Sequence, residues 1–414
     1  MVNNGVANAP SALEGLRVLD LAGPMGAYCG KLFAGLGADV IRVEPPDGDV
    51  TRTLPPFYQD QPGVERSLFF WHFNVNKRGV TLDFDKPGGQ DLFRRLAATA
   101  DVVIETFHPG YLASIGLGYD NLDKINPRLV LTSITPFGQT GPFKDYVGEE
   151  LVGQASGGLL WMCGWPDRRP VMMGGGPAMH QASAEGAAGA LIALEFREQT
   201  GRGQQVDVSV QACMPLTLMA SMPEYHRLGV LRQPRVGNFH GSALNGMFAC
   251  SDGYADFRFR GRPAQWNNFV AWLKSEGMQE DLEDDKYKDP VLRRGKEIYE
   301  HIDEVFQRFI VRYSREDAMD LSQRKGLEVG AVYTAADLMV DPQLQARDFF
   351  IDVEHDNLGQ TFRYPGGPFT LLGTPWRLYR RAPILGEHNA EIYGKELGLS
   401  DAELASLRAE GAIS

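Results

Sequence analysis

Short apolar segments alternate with segments of helical periodicity over residues 17–209, and this alternation constrains the fold more than any other feature. Strands are predicted at 17–21, 39–44, 79–83, 101–104, 129–135 and 206–209, and helices at 27–36, 88–98 and 178–198. Strands that alternate with helices are typical of a parallel sheet whose two faces are covered by helices. The sequence therefore predicts an α/β fold with a mostly parallel sheet.

The first strand–helix–strand unit, residues 17–44, matches the dinucleotide-binding fingerprint only in part. Glu44 follows Gly23 at about 20 residues, near the distance at which that fingerprint places an acidic residue. The turn, however, reads Gly23-Pro24-Met25-Gly26 instead of GxGxxG, and Pro24 lacks the backbone N–H that would hold a phosphate. The glycine pattern therefore argues against a nicotinamide or flavin site.

Charge and cysteine content exclude several other classes of protein. The 414 residues include 41 Lys and Arg against 53 Asp and Glu, a formal net charge of −12, without the basic cluster that nucleic-acid binding needs. No apolar run is long enough to span a membrane, and the N-terminus does not resemble a signal peptide, so we expect a cytoplasmic protein. The 4 cysteines lack metal-ligand spacing, so neither a metal site nor a disulfide scaffold is expected.

The character of the chain changes after about residue 225 and again after 330. Residues 232–264 are rich in Gly, Arg, Asn and aromatic residues, and residues 265–330 are strongly charged with helical spacing, so this segment is a candidate separate domain. Beyond it, strand and turn patterns return before a terminal helix at 400–410, whose Ser400 and Glu403 match a capping box. Three glycines at 174–176 precede the long helix at 178–198 and allow close approach of a ligand.

Several motifs spread along nearly the whole chain resemble those of family III CoA-transferases, the family of formyl-CoA and carnitine CoA-transferases. They are LEGLRVLD at 13–20, GLGADVIRVE at 35–44, NKR at 76–78, ADVVIETFHPG at 100–110, INPRL at 125–129, FGQTGP at 137–142, TGRGQ at 200–204 and GEH at 386–388. The resemblance implies a Rossmann-like large domain built from residues 1–225 and 331–414, and a smaller central domain at 226–330. It also implies that two chains interlock as rings in a dimer.

The resemblance further implies that an Asp at the start of the long helix attacks an acyl-CoA thioester, and here that residue is missing. Counting back from Thr200 of the TGRG motif places Met179 at the nucleophile position, and no Asp lies between Pro170 and Thr200. A thioether cannot form an acyl anhydride. We therefore interpret the chain as the non-catalytic subunit of a heteromeric CoA-transferase whose paralogous partner supplies the Asp. The family includes such a pair, which acts on (R)-benzylsuccinate in anaerobic aromatic degradation, and this likeness makes succinyl-CoA the expected donor.

Three alternatives remain open at the level of sequence. His180 or Glu185 replaces the Asp in a self-sufficient enzyme, or the chain is an acyl-CoA racemase or isomerase on the same fold. The racemase-like members use a His and an Asp at the positions of Glu149 and Met179, so both of those bases are absent here. In the third alternative the chain is a non-enzymatic CoA-binding scaffold.

The resemblance also carries over a set of coenzyme A contacts at the ends of the early strands. These positions are Ala22, Arg42, Leu82, Thr106, Phe107 and Ile115. Two departures from the family pattern weaken this assignment, since Asn is usual at Thr106 and some members have Arg near Ser114. The glycine loop that some members use as a lid is replaced by residues 237–241.

Overall fold

The computed structural model describes residues 10–218, 221–232, 243–260 and 262–414, so the lid-like segment at 237–241 lies outside the described residues. The chain divides into two compact units. The first contains the chain up to Leu160 together with Met172–Gly229 and Gln345–Ser414, and the second contains Trp161–Val171 and Val230–Leu344. The first unit therefore draws on both ends of the chain.

The strands are β1 Arg17–Asp20, β2 Asp39–Glu44, β3 Arg78–Thr81, β4 Val102–Glu105, β5 Val130–Thr135, β6 Gln205–Ser209, β7 Asn245–Cys250, β8 Gly253–Arg258, β9 Glu328–Ala331, β10 Phe350–His355 and β11 Gln360–Pro365. The first six form one sheet in the order β3-β2-β1-β4-β5-β6, and every neighbouring pair in it is parallel. This confirms the predicted α/β class with a parallel sheet.

The helices are α1 Ala27–Gly35, α2 Leu68–Asn74, α3 Pro87–Ala97, α4 Tyr111–Ser114, α5 Tyr119–Ile125, α6 Glu150–Ser156, α7 Leu159–Met162, α8 Pro177–Thr200, α9 Val210–Cys213, α10 Ser221–Leu228, α11 Pro263–Ser275, α12 Lys296–Ile310, α13 Arg315–Arg324, α14 Ala335–Val340, α15 Pro342–Ala346 and α16 Asp401–Ala409, with a π-helix at Ala390–Glu396. Among the described helices, none combines the length and the apolar character that crossing a membrane requires.

Alternate residues of the central strands enter separate apolar clusters, as the period of a strand requires. Leu19 and Val103 belong to a cluster that includes Phe93 of α3. Their neighbours Val18 and Val102 belong to a second cluster with α1 and α8. Both faces of the sheet are thus covered, which explains why the strands read as continuous apolar runs.

The small residues of α8 let it lie close to the sheet as well as to α1. A side chain at Gly186 would bring its Cβ within 2.8 Å of Ile134 in β5, and one at Gly189 within 2.8 Å of Val206 in β6. Ala182, Ala190 and other small residues of α8 are fully buried in the same cluster as α1. The composition of this helix therefore sets its distance from the sheet.

The second unit has its own core around the antiparallel sheet β7-β8-β9. Phe248 and Phe257 of this sheet pack against Phe306 of α12 with ring centroids 5.0 Å and 4.6 Å apart, respectively. Because β9 pairs with β8 across residue 330, the chain beyond that position continues within this unit to Leu344. The region after 331 includes the helices α14 and α15 as well as the expected strands.

The terminal helix α16 shows the expected capping box. The Ser400 side chain accepts a hydrogen bond from the backbone N–H of Glu403, and the Glu403 carboxylate accepts one from the backbone N–H of Ser400. This reciprocal pair satisfies two backbone donors that a helix N-terminus otherwise leaves open. The capping box confirms the predicted start of the helix.

We expect Phe93→Ala to lower the free energy of unfolding by about 3–5 kcal/mol, because Phe93 is fully buried and its removal leaves a cavity. The matched control is Phe196→Ala in α8, where the side chain is 47% exposed and a change of no more than about 0.5 kcal/mol is expected. Urea unfolding followed by fluorescence measures both. Equal effects in the two variants would contradict the described core.

Candidate active site

The order of the sheet places a crevice at the carboxyl ends of β1 and β4. From β1 the chain adds β2 and β3 on one side of the sheet, and from β4 it adds β5 and β6 on the other side. Ligands of open α/β sheets bind at the point where the strand order reverses in this way. The backbone N–H of Gly23, after β1, donates to Thr106 Oγ1, after β4, at 2.8 Å. A Cβ at Gly26 would lie 2.8 Å from Ala22 Cβ and 2.9 Å from Thr106 Cγ2, so only glycine fits there. The structure thus brings together Ala22 and Thr106, two of the residues expected to contact coenzyme A.

The N-terminus of α8 lies beside the same turn. Ser183 Oγ donates to the carbonyl oxygen of Met25 at 2.8 Å, and the His180 ring lies 5.2 Å from the Tyr28 ring of α1. Gly176 precedes the helix in the left-handed region, with φ of 69°, and has no side chain that could cap the helix. The helix start that carries Met179 therefore opens next to the crevice.

A carboxylate from α6 occupies the N-terminus of α8. Glu150 Oε1 accepts from the backbone N–H of Ala178 and Glu150 Oε2 accepts from that of Met179, each at 2.9 Å. Gln154, which is fully buried, donates to Glu150 Oε1 at 2.6 Å and to the carbonyl oxygen of Met173 at 2.9 Å. Because the positive end of a helix dipole and its free N–H groups favour an anion, Glu150 satisfies this end of α8.

Glu150 is the site residue that sequence reasoning missed. A pair of acidic residues at the start of a helix is ordinarily solvated, and the adjacent Glu149 is indeed exposed. The two residues differ because Glu150 reaches a second helix that begins at Pro177, far along the chain. The available signal was the spacing of Glu150 and Gln154, which places both side chains on one face of α6.

The two residues considered as replacements for the Asp have local partners. His180 Nδ1 lies 2.9 Å from the carbonyl oxygen of Gly176, and because a carbonyl only accepts, this ring nitrogen is the donor. Glu185 Oε1 accepts from Gln181 Nε2 at 2.7 Å, further along α8 than the residues that bind Glu150. The structure therefore places His180 beside the helix start and Glu185 away from it.

The other positions expected to contact coenzyme A are largely engaged within the protein. Arg42 is buried, with Nη1 2.5 Å from the carbonyl oxygen of Ala22 and Nη2 2.9 Å from Asp49. Leu82, Phe107 and Ile115 pack in one apolar cluster, and the Phe107 ring lies 5.0 Å from that of Tyr111. The role of these residues in binding coenzyme A stays a prediction.

A group of buried charges includes Lys31 of α1 and the end of β1. Lys77 Nζ lies 2.6 Å from Asp20 Oδ2, and both side chains are fully buried. Lys31, which is 3% exposed, contacts His72 Nε2 at 2.9 Å. Burial, and then the charge of Lys77, lower the pKa of Lys31 to about 7, while burial and the charge of Lys31 lower the pKa of His72 to about 3. His72 is therefore a neutral acceptor at neutral pH.

Glu105, at the end of β4, is a second perturbed carboxyl. Its Oε2 accepts from the backbone N–H of Phe107 at 2.6 Å, and it borders a cavity of about 180 Å³ that His108 and Gln139 also line. Burial raises the pKa of Glu105 to about 7. Within the residues that the structure describes, no group of three or more His, Cys, Asp or Glu side chains is arranged to hold a metal ion.

A family model described as CoA-transferase family III matches residues 13–389. The chain belongs to this family. Membership confirms the resemblance read from the motifs and implies acyl-CoA substrates.

Relatives and a solved structure cover nearly all of this family III chain. It is 38% identical to the succinyl-CoA:(R)-benzylsuccinate CoA-transferase subunit BbsE of Thauera aromatica, over 96% of this chain and 97% of the relative. It is 34% identical to the succinyl-CoA–D-citramalate CoA-transferase of Chloroflexus aurantiacus, over 98% of each. A crystal structure of a CaiB/BaiF family protein from Brucella suis matches with a TM-score of 0.84 and 32% identity, over 93% of this chain and 99% of that one.

We expect Glu150→Gln to lower the free energy of unfolding by about 1–2 kcal/mol, because the amide has one acceptor atom where the carboxylate offers two to the N-terminus of α8. Glu149→Gln, at the exposed neighbouring position, is the matched control and should change it by no more than about 0.5 kcal/mol. Chemical denaturation of both variants makes the measurement. A Glu150→Gln variant as stable as the control would show that the cap contributes nothing.

The raised pKa of Glu105 predicts that the free energy of unfolding falls as pH rises. The folded-state pKa of about 7 exceeds the ordinary 4.5, so the stability that protonated Glu105 contributes is fully present below pH 4.5 and is lost as pH rises through 7. In wild type this loss should lower the free energy of unfolding by an amount on the order of 3 kcal/mol between pH 5 and pH 8, and Glu105→Gln should not show it. Urea unfolding at both pH values, with Glu195→Gln on the exposed face of α8 as the control, measures this decline. An unchanged decline in Glu105→Gln would assign it to another group.

Proposed function

We propose that this chain is the non-catalytic subunit of a heteromeric family III CoA-transferase and that a paralogous subunit supplies the nucleophilic Asp. The observation that carries this proposal is the chemistry at the start of α8. Met179 stands at the nucleophile position, and its backbone N–H already binds the carboxylate of Glu150. The helix end that would face the thioester therefore holds a thioether and an internal cap.

The mechanism implied by the family explains why a Met at position 179 argues against a catalytic role for this chain. A carboxylate oxygen attacks the thioester carbonyl, the C–S bond breaks, and an acyl anhydride forms as CoA thiolate leaves. A neutral thioether has no negative charge to share with the acyl group and cannot form that anhydride. In the proposed assembly the partner carries out this step, while this chain completes an intertwined dimer or a higher heteromer.

The donor and acceptor are proposed from the named relatives. Both curated relatives are transferases of succinyl-CoA, and one is the BbsE subunit of the enzyme that acts on (R)-benzylsuccinate. We therefore propose succinyl-CoA as the donor and (R)-benzylsuccinate or a similar acid as the acceptor, within the anaerobic degradation of an aromatic compound.

One observation favours a second candidate function. Glu150 places a carboxylate at the same helix end that would hold the missing Asp, so it could serve as the nucleophile of a self-sufficient transferase. Three hydrogen bonds to its oxygens oppose this role, because they stabilise the charge that a nucleophile must share. We therefore rank it second.

Assays of the chain alone and with a co-expressed paralogous partner test the proposal. We expect the lone chain to transfer CoA from succinyl-CoA to (R)-benzylsuccinate at no more than about a thousandth of the rate of the complex, since loss of a catalytic nucleophile costs at least this factor. Within the complex, Glu185→Ala should leave the rate nearly unchanged, because Glu185 lies away from the start of α8.

Robust transfer by the lone chain would overturn the subunit assignment. Glu150→Gln in the lone chain would then identify the second candidate, because loss of the nucleophilic oxygen would abolish the activity. Retention of the activity in that variant would exclude Glu150 as well.

A further inference from the structure

We infer that Lys31 anchors a carboxylate group of the acid substrate, a role that deepens the proposed function. Lys31 lies on α1 beneath the crevice, is 3% exposed, and has no carboxylate within ion-pair distance in the part of the chain that the structure describes. A buried cation is normally paired, because leaving it unpaired costs several kcal/mol. An anionic ligand would supply the missing partner.

The acidic side chains near Lys31 form ion pairs with other residues. Asp20 pairs with Lys77 at 2.6 Å and with Arg42 at 3.3 Å. Asp49 pairs with Arg42 at 2.9 Å. These two acids are therefore committed to two other cations, which leaves Lys31 without a counter-ion of its own whenever its amine is protonated.

The hydrogen bonds of Lys31 are also incomplete. An ammonium has three donors, and a neutral imidazole has one acceptor nitrogen. His72 approaches Lys31 Nζ with Nε2 at 2.9 Å and Nδ1 at 3.4 Å, so it can satisfy one donor at most. A carboxylate with two oxygens would satisfy the remaining two donors.

Lys31 lies close to the helix start that carries Met179. Phe73 lies 5.8 Å from Lys31 Nζ and 5.7 Å from the ring of His180, the residue after Met179. One phenyl ring therefore separates the amine from the first turn of α8. Tyr28, His72 and His180 are partly exposed, so this cluster reaches the surface of the crevice. A carboxylate bound at Lys31 would therefore lie one ring away from the helix that carries Met179.

Calorimetric titration of the full-length chain with succinate tests the anchor directly. We expect wild-type protein to bind succinate and Lys31→Met to bind it at least tenfold more weakly, since the variant keeps the length of the side chain and loses its charge. Lys124→Met, at an exposed position of α5, is the matched control and should bind like wild type. Succinamide, which has the same shape without charge, should not bind to wild type.

Thermal unfolding of the same variants separates binding from folding. Removal of an unpaired buried charge should leave Lys31→Met with a midpoint at or above that of wild type in the absence of succinate. Succinate should raise the midpoint of wild type and of Lys124→Met, and leave that of Lys31→Met unchanged. If Lys31→Met does not fold, Lys31→Gln, which keeps a donor, takes its place.

Three outcomes would overturn the inference: wild type that does not bind succinate, a folded Lys31 variant that binds it with unchanged affinity, or a Lys31 variant that loses affinity for coenzyme A and retains it for succinate. The titration needs neither the partner nor turnover. Its failure would therefore leave the subunit assignment standing, while activity of the lone chain would remove that assignment and leave the anchor intact.

Discussion

The buried carboxylate of Asp20 holds together the elements that form the crevice. It accepts from the backbone N–H of Ala22, pairs with Lys77, and lies 3.3 Å from Arg42 of the neighbouring strand. One side chain thereby fixes the end of β1, the turn that follows it, the end of β2, and the segment that leads into β3. Gly30 permits this arrangement, because a Cβ there would lie 2.3 Å from Asp20 Oδ2.

The start of α8 depends on this fixed turn and on α6. Ser183 ties the helix to Met25, while Glu150 and Gln154 tie its first turn and the preceding loop to α6. The start of α8, where the sequence places Met179, is thus held by contacts from two different segments of the chain.

Local patterns predicted much of the fold, and non-local contacts account for what they missed. The strands β1 to β6, the long helix α8 and the Ser400 capping box follow from periodicity and from residues a few positions apart. The family motifs also predicted that Met179 stands where related enzymes have the nucleophilic Asp. The role of Glu150 depends on a helix 28 residues away, and the isolation of Lys31 depends on which cations take Asp20 and Asp49. These relations join segments that lie far apart in the chain. The spacing of Glu150 and Gln154 indicates a shared face of α6, but not which helix that face contacts.

The internal cap on α8 has a consequence for any substitution that adds a negative charge at its start. An Asp at position 179 would place a second carboxylate at a helix end whose N–H donors already bind Glu150. Two like charges at one such end repel each other. The effect of that substitution would therefore depend on residues of α6 as well as on those of α8.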